Sequence, residues 1–268
     1  MQYQTITRSV AATAATVLGA ALAEAKPVDT AALDKAFAAL KTFDYGGSDN
    51  KVREQLGAIE DALPACHGDE ALCKDLETRL LAVLCAEVPY AAKDYVCRKL
   101  TVIGTAASVP ALAALLPDKK LSHMARYALE RIPAPEAGKA LREGLGKTSG
   151  AEKAGVAGSL GNRRDSEAVA DLAALVGDSD TAIALAAATA LGDIGTAESA
   201  KALQDAKPAS EPAKMRAADA RLAAGEALLA AGDKAAAQAV YKSLITCPVK
   251  SIRLAATRGL LLASGKKE

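Results

Sequence analysis

The chain contains few of the residues that build β-rich cores and few that carry catalysis. It has no tryptophan, two phenylalanines, six tyrosines and two histidines among 268 residues. Strands favour aromatic residues, whereas the abundant apolar residues here are alanine and leucine, which favour helices. We therefore expect an all-α fold.

The chain also lacks an excess of charge of either sign. Its 33 basic and 32 acidic residues leave a formal net charge of +1. Nucleic acids and anionic membranes are usually bound through an excess of positive charge. On this whole-chain balance we expect neither as a partner.

The N-terminal segment contains no apolar run that could span a bilayer. Its uncharged stretch Val10–Leu22 has thirteen residues, whereas a membrane-spanning helix needs about 20. Arg8 precedes this stretch, and small residues at Ala21, Ala23 and Ala25 suit a signal peptidase. We predict that residues 1–25 are a Sec-type bacterial signal peptide and that the protein is periplasmic or secreted. A weakly apolar N-terminal helix of a cytoplasmic protein is the alternative.

Four of the five cysteines lie close together, at Cys66, Cys73, Cys85 and Cys97, with Cys247 far from them. This density favours an oxidising compartment. A disulfide between Cys66 and Cys73 would join two helices across a turn. Cys85 and Cys97 are a second candidate pair, although Cys97 fits better as a buried apolar residue, and spacing alone leaves the pairing open. Because CxxC and CxxCH spacings are missing, we expect no metal and no haem.

Two leucines recur through the middle of the chain at nearly constant intervals. A recurrence of about thirty residues is typical of stacked helical hairpins. In three of the four repeats, the helix that carries the first leucine is followed by a residue that would end it, namely Gly104, Pro133 or Gly195. We therefore predict a right-handed α-solenoid of antiparallel helix pairs over residues 96–206. The first leucine occurs at Leu100, Leu129, Leu160 and Leu191, and the second at Leu112, Leu141, Leu172 and Leu203.

Helical stripes without the strict repeat flank this array. Residues 26–95 are predicted to form an N-terminal helical capping region. Residues 206–212 read as a linker, and residues 212–265 as three further helices. These helices would cover the end of the solenoid, which otherwise exposes apolar surface.

The repeated stretches resemble known repeat families. CRKLTVIG at residues 97–104, LSHMARYALE at 121–130 and SLGNRRD at 159–165 resemble a module of exported bacterial HEAT-repeat proteins. That module has the short, PBS-lyase-like form of HEAT repeat, of about thirty residues. Residues 225–244 are similar to a tetratricopeptide hairpin. The resemblance implies an interaction scaffold and brings no catalytic residue with it.

Four residues are candidates for contact with a protein partner: Arg126, Tyr127, Arg163 and Arg164. The first two lie between predicted buried positions, and Arg163 and Arg164 replace the Ile-Gly of two other repeats. Arginine and tyrosine are frequent interface anchors. The alternative is that Arg126 forms an internal ion pair and that the other two arginines are solvated turn residues. In solenoids the inner ridge of second helices usually binds the partner.

No motif predicts catalysis. Residues 144–148, GLGKT, look like the end of a phosphate-binding loop, but Leu141 stands where the first glycine should be and the preceding segment is helical. His67 and His123 have no nucleophile at useful spacing. We expect a non-catalytic, monomeric scaffold without a cofactor, holding an unknown protein partner along its concave face. A cofactor-handling lyase or chaperone is the alternative, and would require Cys97, His123 and Arg126 to meet in one cleft.

Overall fold

The computed structural model describes residues 28–46 and 50–265, and these form fourteen α-helices and no strand. The predicted signal peptide, loop residues 47–49 and the side chain of Val52 lie outside this description. The N-terminal region contains α1 (Thr30–Leu40), α2 (Asn50–Ala65) and α3 (Glu70–Leu84). The repeat array contains α4 (Tyr90–Ile103), α5 (Val109–Ala114), α6 (Ser122–Arg131), α7 (Pro135–Lys147), α8 (Gly150–Asn162), α9 (Val169–Leu175), α10 (Thr181–Ile194) and α11 (Ala197–Asp205). The C-terminal unit contains α12 (Glu211–Ala230), α13 (Lys234–Leu244) and α14 (Lys250–Ala263).

The helices of the array form two layers, which confirms the predicted all-α solenoid. The first helix of each hairpin packs against the first helix of the next hairpin, in the order α4, α6, α8, α10 and α12. The second helices lie against the first helix that follows them, α5 on α6, α7 on α8, α9 on α10 and α11 on α12. Each hairpin therefore covers the apolar side of its neighbour, as in other solenoids. Within the described residues, no helix is both long and apolar enough to cross a membrane.

The recurring leucines form the interior of the array. All eight are buried, and the least buried of them, Leu203, is only 2% exposed. A small residue at or just before the start of each second helix is completely buried as well, namely Ser108, Ala137, Ala168 and Ser199. The spacing therefore identified the inward face of both helices correctly.

Helix starts are fixed by side chains that cap the free backbone N–H groups of the first turn. Asp29, Asp180 and Asp233 each accept a hydrogen bond from the backbone N–H two or three residues later. At α11, the hydroxyls of Thr196 and Ser199 form a reciprocal capping box. Such caps stabilise a helix by about 1 kcal/mol each, and here they begin α1, α10, α11 and α13.

Glycines allow the first helices to approach closely. A Cβ on Gly161 of α8 would lie 2.7 Å from the Cα of Ala190 in α10, and one on Gly192 would lie 2.9 Å from the carbonyl oxygen of Ala220 in α12. Helix α8 carries three glycines spaced by three residues, Gly155, Gly158 and Gly161. The helix is continuous, and Gly158 alone of its three spaced glycines faces open space.

The buried residues form two separate cores. One is continuous from Leu33 in α1 to Ala220 in α12. The other is small and lies among α12, α13 and α14, around Tyr241. A Cβ on Gly259 would lie 2.4 Å from Cζ of Tyr241, so the tyrosine ring fills the space that this glycine leaves. The long helix α12 contributes to both cores.

Candidate functional site

Four of the eight aromatic residues gather where the segment that follows α1 meets α4. The ring of Phe43 makes edge-on contacts with Tyr45 and Tyr95, at centroid distances of 5.5 and 6.1 Å. Tyr45 makes a similar contact with Tyr90, at 6.4 Å. Phe43 is buried, whereas Tyr45 and Tyr90 are 47% and 43% exposed. The cluster therefore has a buried base and an exposed aromatic edge.

A buried carboxylate holds this edge in place. Asp94 of α4 accepts a hydrogen bond from the Tyr45 hydroxyl and, at 2.9 Å, one from Nε of Arg98. Burial and the neighbouring Asp94 carboxylate raise the pKa of the Tyr45 hydroxyl, so it remains a hydrogen-bond donor. The Asp94 side chain is 2% exposed. Tyr45 and Arg98 are thus ordered in advance, which lowers the entropic cost of binding.

The exposed surface continues along α4. Arg98 and Val102 lie four and eight residues after Asp94 and therefore share its side of the helix. The side chain of Arg98 and the residue Val102 are both 57% exposed. Val102 lies one turn after Arg98, so this end of α4 exposes an apolar side chain next to a charged one, a combination that occurs at interfaces.

Tyr127 and Arg131 extend this surface onto α6. The 29-residue spacing of Leu100 and Leu129 makes Tyr127 equivalent to Arg98 and Arg131 equivalent to Val102 on the adjacent first helix. Tyr127 is 38% exposed, and the guanidinium carbon of Arg131 lies 3.7 Å from its ring centroid. We call the six exposed residues Tyr45, Tyr90, Arg98, Val102, Tyr127 and Arg131 the N-terminal ridge.

Arg126, next to Tyr127, points into the stack. Its Nη1 donates to the backbone carbonyl of Gly155 in α8 at 2.9 Å and lies 3.3 Å from Oγ of Ser159. A Cβ on Gly155 would lie 2.4 Å from the guanidinium carbon, so the arginine needs glycine there. Burial lowers the pKa of the Arg126 guanidinium. This half-buried side chain ties α6 to α8 without an ion pair.

Arg163 also bonds within the stack. Its guanidinium donates to the carbonyls of Leu129, Glu130 and Ile132, at 2.7, 3.1 and 2.7 Å, and weakly to that of Ala134. It therefore caps the C-terminal end of α6 from the neighbouring repeat. Partner binding by Arg126 and Arg163 stays a prediction, but their donor groups are directed inward.

Arg164 is exposed and has a backbone φ of 51°. It occupies the position that Gly195, with φ of 67°, occupies in the next repeat. Of the four predicted residues, only Tyr127 belongs to the N-terminal ridge. We also expected the partner surface on the second helices. Arg126 and Tyr127 lie on α6, and Arg163 and Arg164 follow the end of α8, and both of these are first helices.

None of the five cysteines forms a disulfide in this structure, and the pairing of Cys66 with Cys73 stays a prediction. Sγ of Cys73 lies 3.1 Å from the carbonyl oxygen of Cys66, so the two residues are neighbours. Burial and the neighbouring Cys73 thiol raise the pKa of the Cys66 thiol to about 12. Cys97 is completely buried and Cys85 is exposed, so the two thiols of the second candidate pair lie in different environments.

The residues named for a cofactor site do not share an open cleft. Cys97 has no exposed surface, His123 is exposed on α6, and Arg126 bonds to α8. In the part of the chain that the structure describes, no three His, Cys, Asp or Glu side chains could hold a metal ion together.

Apart from Tyr127, none of the ridge residues was predicted from the sequence, and neither was their buried partner Asp94. The usable signal was the uneven placement of a rare residue type: five of the eight aromatic residues lie between Phe37 and Tyr95. The bond between Tyr45 and Asp94 joins residues 49 apart, a separation that helical periodicity does not reach.

Comparison with known proteins identifies the repeat type. Residues 145–220 match the family model described as HEAT repeats, and no curated protein matches the chain. The chain is similar to the solved structure of human deoxyhypusine hydroxylase in complex with glycerol, at 16% identity and a TM-score of 0.35, over 87% of this chain and 96% of that one. A similarity this low assigns neither fold nor chemistry. The chain is thus an all-α solenoid in which residues 145–220 match HEAT repeats.

Proposed function

We propose that this protein is a non-catalytic scaffold that binds a protein partner through the N-terminal ridge. The observation that carries the proposal is the exposed Tyr45–Tyr90–Arg98 group in a chain that has only eight aromatic residues. Tyrosine and arginine are enriched among the residues that dominate binding energy. Exposed aromatic side chains cost solubility, so their concentration on one surface favours a binding role.

Photo-crosslinking tests this proposal. A photoreactive amino acid placed at Tyr90 should capture a defined partner in the native cell, and the same group placed at Met215, which is 56% exposed on α12, should not. The double variant Tyr90→Ala with Arg98→Ala should weaken binding of the captured partner by about thirtyfold, the effect of losing a dominant anchor. The matched control Met215→Ala with Lys201→Ala should bind normally. Unchanged binding by the ridge variant would reject the proposal.

We further propose that the scaffold is exported, on the basis of the signal pattern in residues 1–25. The protein recovered from the cell envelope should have a mass that lacks this segment. A further mass loss of two hydrogens should show that Cys66 and Cys73 form a disulfide. A full-length protein recovered with reduced thiols from the cytoplasm contradicts both. No observation in the described residues favours the cofactor-handling alternative over the scaffold.

A further inference from the structure

Positive charge is concentrated at the C-terminal end of the chain. Residues 234–268 contain seven basic residues and one acidic residue, whereas residues 1–233 contain 26 basic and 31 acidic residues. The whole-chain balance hides this segregation. The expectation of no anionic partner therefore does not apply to the C-terminal unit, because association depends on the local field.

The last helix, α14, exposes an apolar and basic face. Leu254, Leu261 and Leu262 are 58%, 44% and 45% exposed. Arg258 lies among them on the same side of the helix, and Lys250 lies one turn before Leu254. The helix contains no acidic residue. Its opposite side is buried in the second core, so this outer face is a stable part of the surface.

The apolar surface reaches from α14 onto α12. An open groove of about 560 Å³ lies between the two helices, with Leu229 on one wall, Leu254 and Leu262 on the other, and Tyr241 lining it as well. Glu226 is the acidic residue of this lining. The leucines are thus part of a continuous apolar area rather than isolated exposed residues.

Arg258 is part of the groove lining, and the other basic residues of this unit lie on α13 and along α14. Lys234 and Lys242 are exposed on α13, and neither has a carboxylate within ion-pair distance among residues 28–46 and 50–265. Lys266 and Lys267 follow α14 in the sequence. Charge spread around an apolar face suits an extended anionic plane better than a single acidic segment, because every lysine can then meet opposite charge.

We propose that the C-terminal unit docks on the surface of an anionic lipid bilayer through the exposed face of α14. The three leucines enter the boundary between headgroups and acyl chains, and the lysines and arginines remain at the level of the lipid phosphates. The acidic remainder of the chain is repelled by the same surface, which directs the array and its N-terminal ridge away from the bilayer. The attachment is peripheral, on one face of one helix.

Vesicle co-sedimentation of the full chain tests this. The protein should sediment with vesicles of phosphatidylcholine containing roughly a third phosphatidylglycerol and not with vesicles of phosphatidylcholine alone. Raising the salt concentration from about 0.1 M to about 0.5 M should release it, since salt screens the attraction to the headgroups. This salt series needs no variant and is independent of folding effects.

Two variants separate the apolar and the electrostatic contributions. Leu254→Ser with Leu261→Ser and Leu262→Ser should weaken binding about tenfold or more through lost apolar contact. Lys242→Glu with Lys250→Glu should weaken it by a similar factor, since each basic residue near the surface contributes about fivefold. The matched controls are Met215→Ser, an exposed apolar residue of α12, and Lys201→Glu, an exposed lysine of α11. Both should bind like the unchanged chain.

Three outcomes would overturn the proposal. Equal sedimentation with neutral and anionic vesicles would remove the role of charge. Binding that needs the lysines but not the leucines would indicate a polyanion such as RNA. A dimer in light scattering that the leucine variant separates would assign the face to a second copy of the chain.

Discussion

The repeat array and the C-terminal unit bury alanine-rich helices in different ways. The array uses two leucines per repeat, and its core continues without interruption from α1 to α12. The C-terminal unit uses one large ring, Tyr241, packed between Gly225 and Gly259 of the adjacent helices. The comparison shows that regular spacing gives a core shared between neighbours, whereas an irregular end depends on a single local fit.

The largest effect should come from the shared core. Leu172→Ala should lower the free energy of unfolding by about 2–5 kcal/mol, because Leu172 is completely buried and its removal leaves a cavity between repeats. Urea unfolding followed by circular dichroism measures this. Leu254→Ala is the control and should cost less than about 0.5 kcal/mol, since Leu254 is on the surface. Similar losses for both would mean that the leucine spacing does not mark the core.

The local fit in the C-terminal unit should be the next most sensitive feature. Gly259→Ala should destabilise this unit by about 1–3 kcal/mol, since the added methyl group overlaps the Tyr241 ring. Hydrogen exchange should then show lost protection in α13 and α14 while α6 to α10 stay protected. Gly158→Ala, in open space within α8, is the control and should stabilise by about 0.5–1 kcal/mol. Lost protection along the whole chain would show that the two cores unfold together.

Adjacent arginines at the end of α8 should respond in opposite directions. Arg164→Gly should raise the free energy of unfolding by about 1 kcal/mol, because the left-handed backbone of Arg164 suits glycine better. Arg163→Ala should lower it by about 1–3 kcal/mol, because the carbonyls at the end of α6 lose their donors. Thermal melts of both variants measure the difference. A loss for Arg164→Gly would mean that its side chain contributes more than its backbone costs.

At neutral pH the smallest effect is that of the Cys97 thiol, which changes stability only in the alkaline range. Burial, aided by the nearby Asp94 carboxylate, raises the pKa of the Cys97 thiol from 9.0 to about 12. The unfolded thiol ionises first as the pH rises, so the contribution of this thiol to stability is constant below about pH 9 and falls between about pH 9 and 12. Cys97→Ala, the residue found at the equivalent positions 157 and 188, should remove this part of the decline. The free energy of unfolding of the two chains should depend differently on pH above pH 9 and equally below it. Equal slopes of this free energy in the alkaline range would contradict the buried thiol.

The helical class and the inward faces of the repeat helices follow from the amino-acid sequence without further information. Each of these follows from contacts between residues close in sequence or one repeat apart, which a leucine spacing records directly. The tertiary structure alone decided which polar side chains face the solvent. Arg126 and Arg163 reach across to α8 and α6 because a glycine leaves space for one and a helix end offers carbonyls to the other. Tyr45 becomes an exposed anchor because Asp94 binds its hydroxyl across 49 residues, a separation that the periodicity of a single helix does not encode.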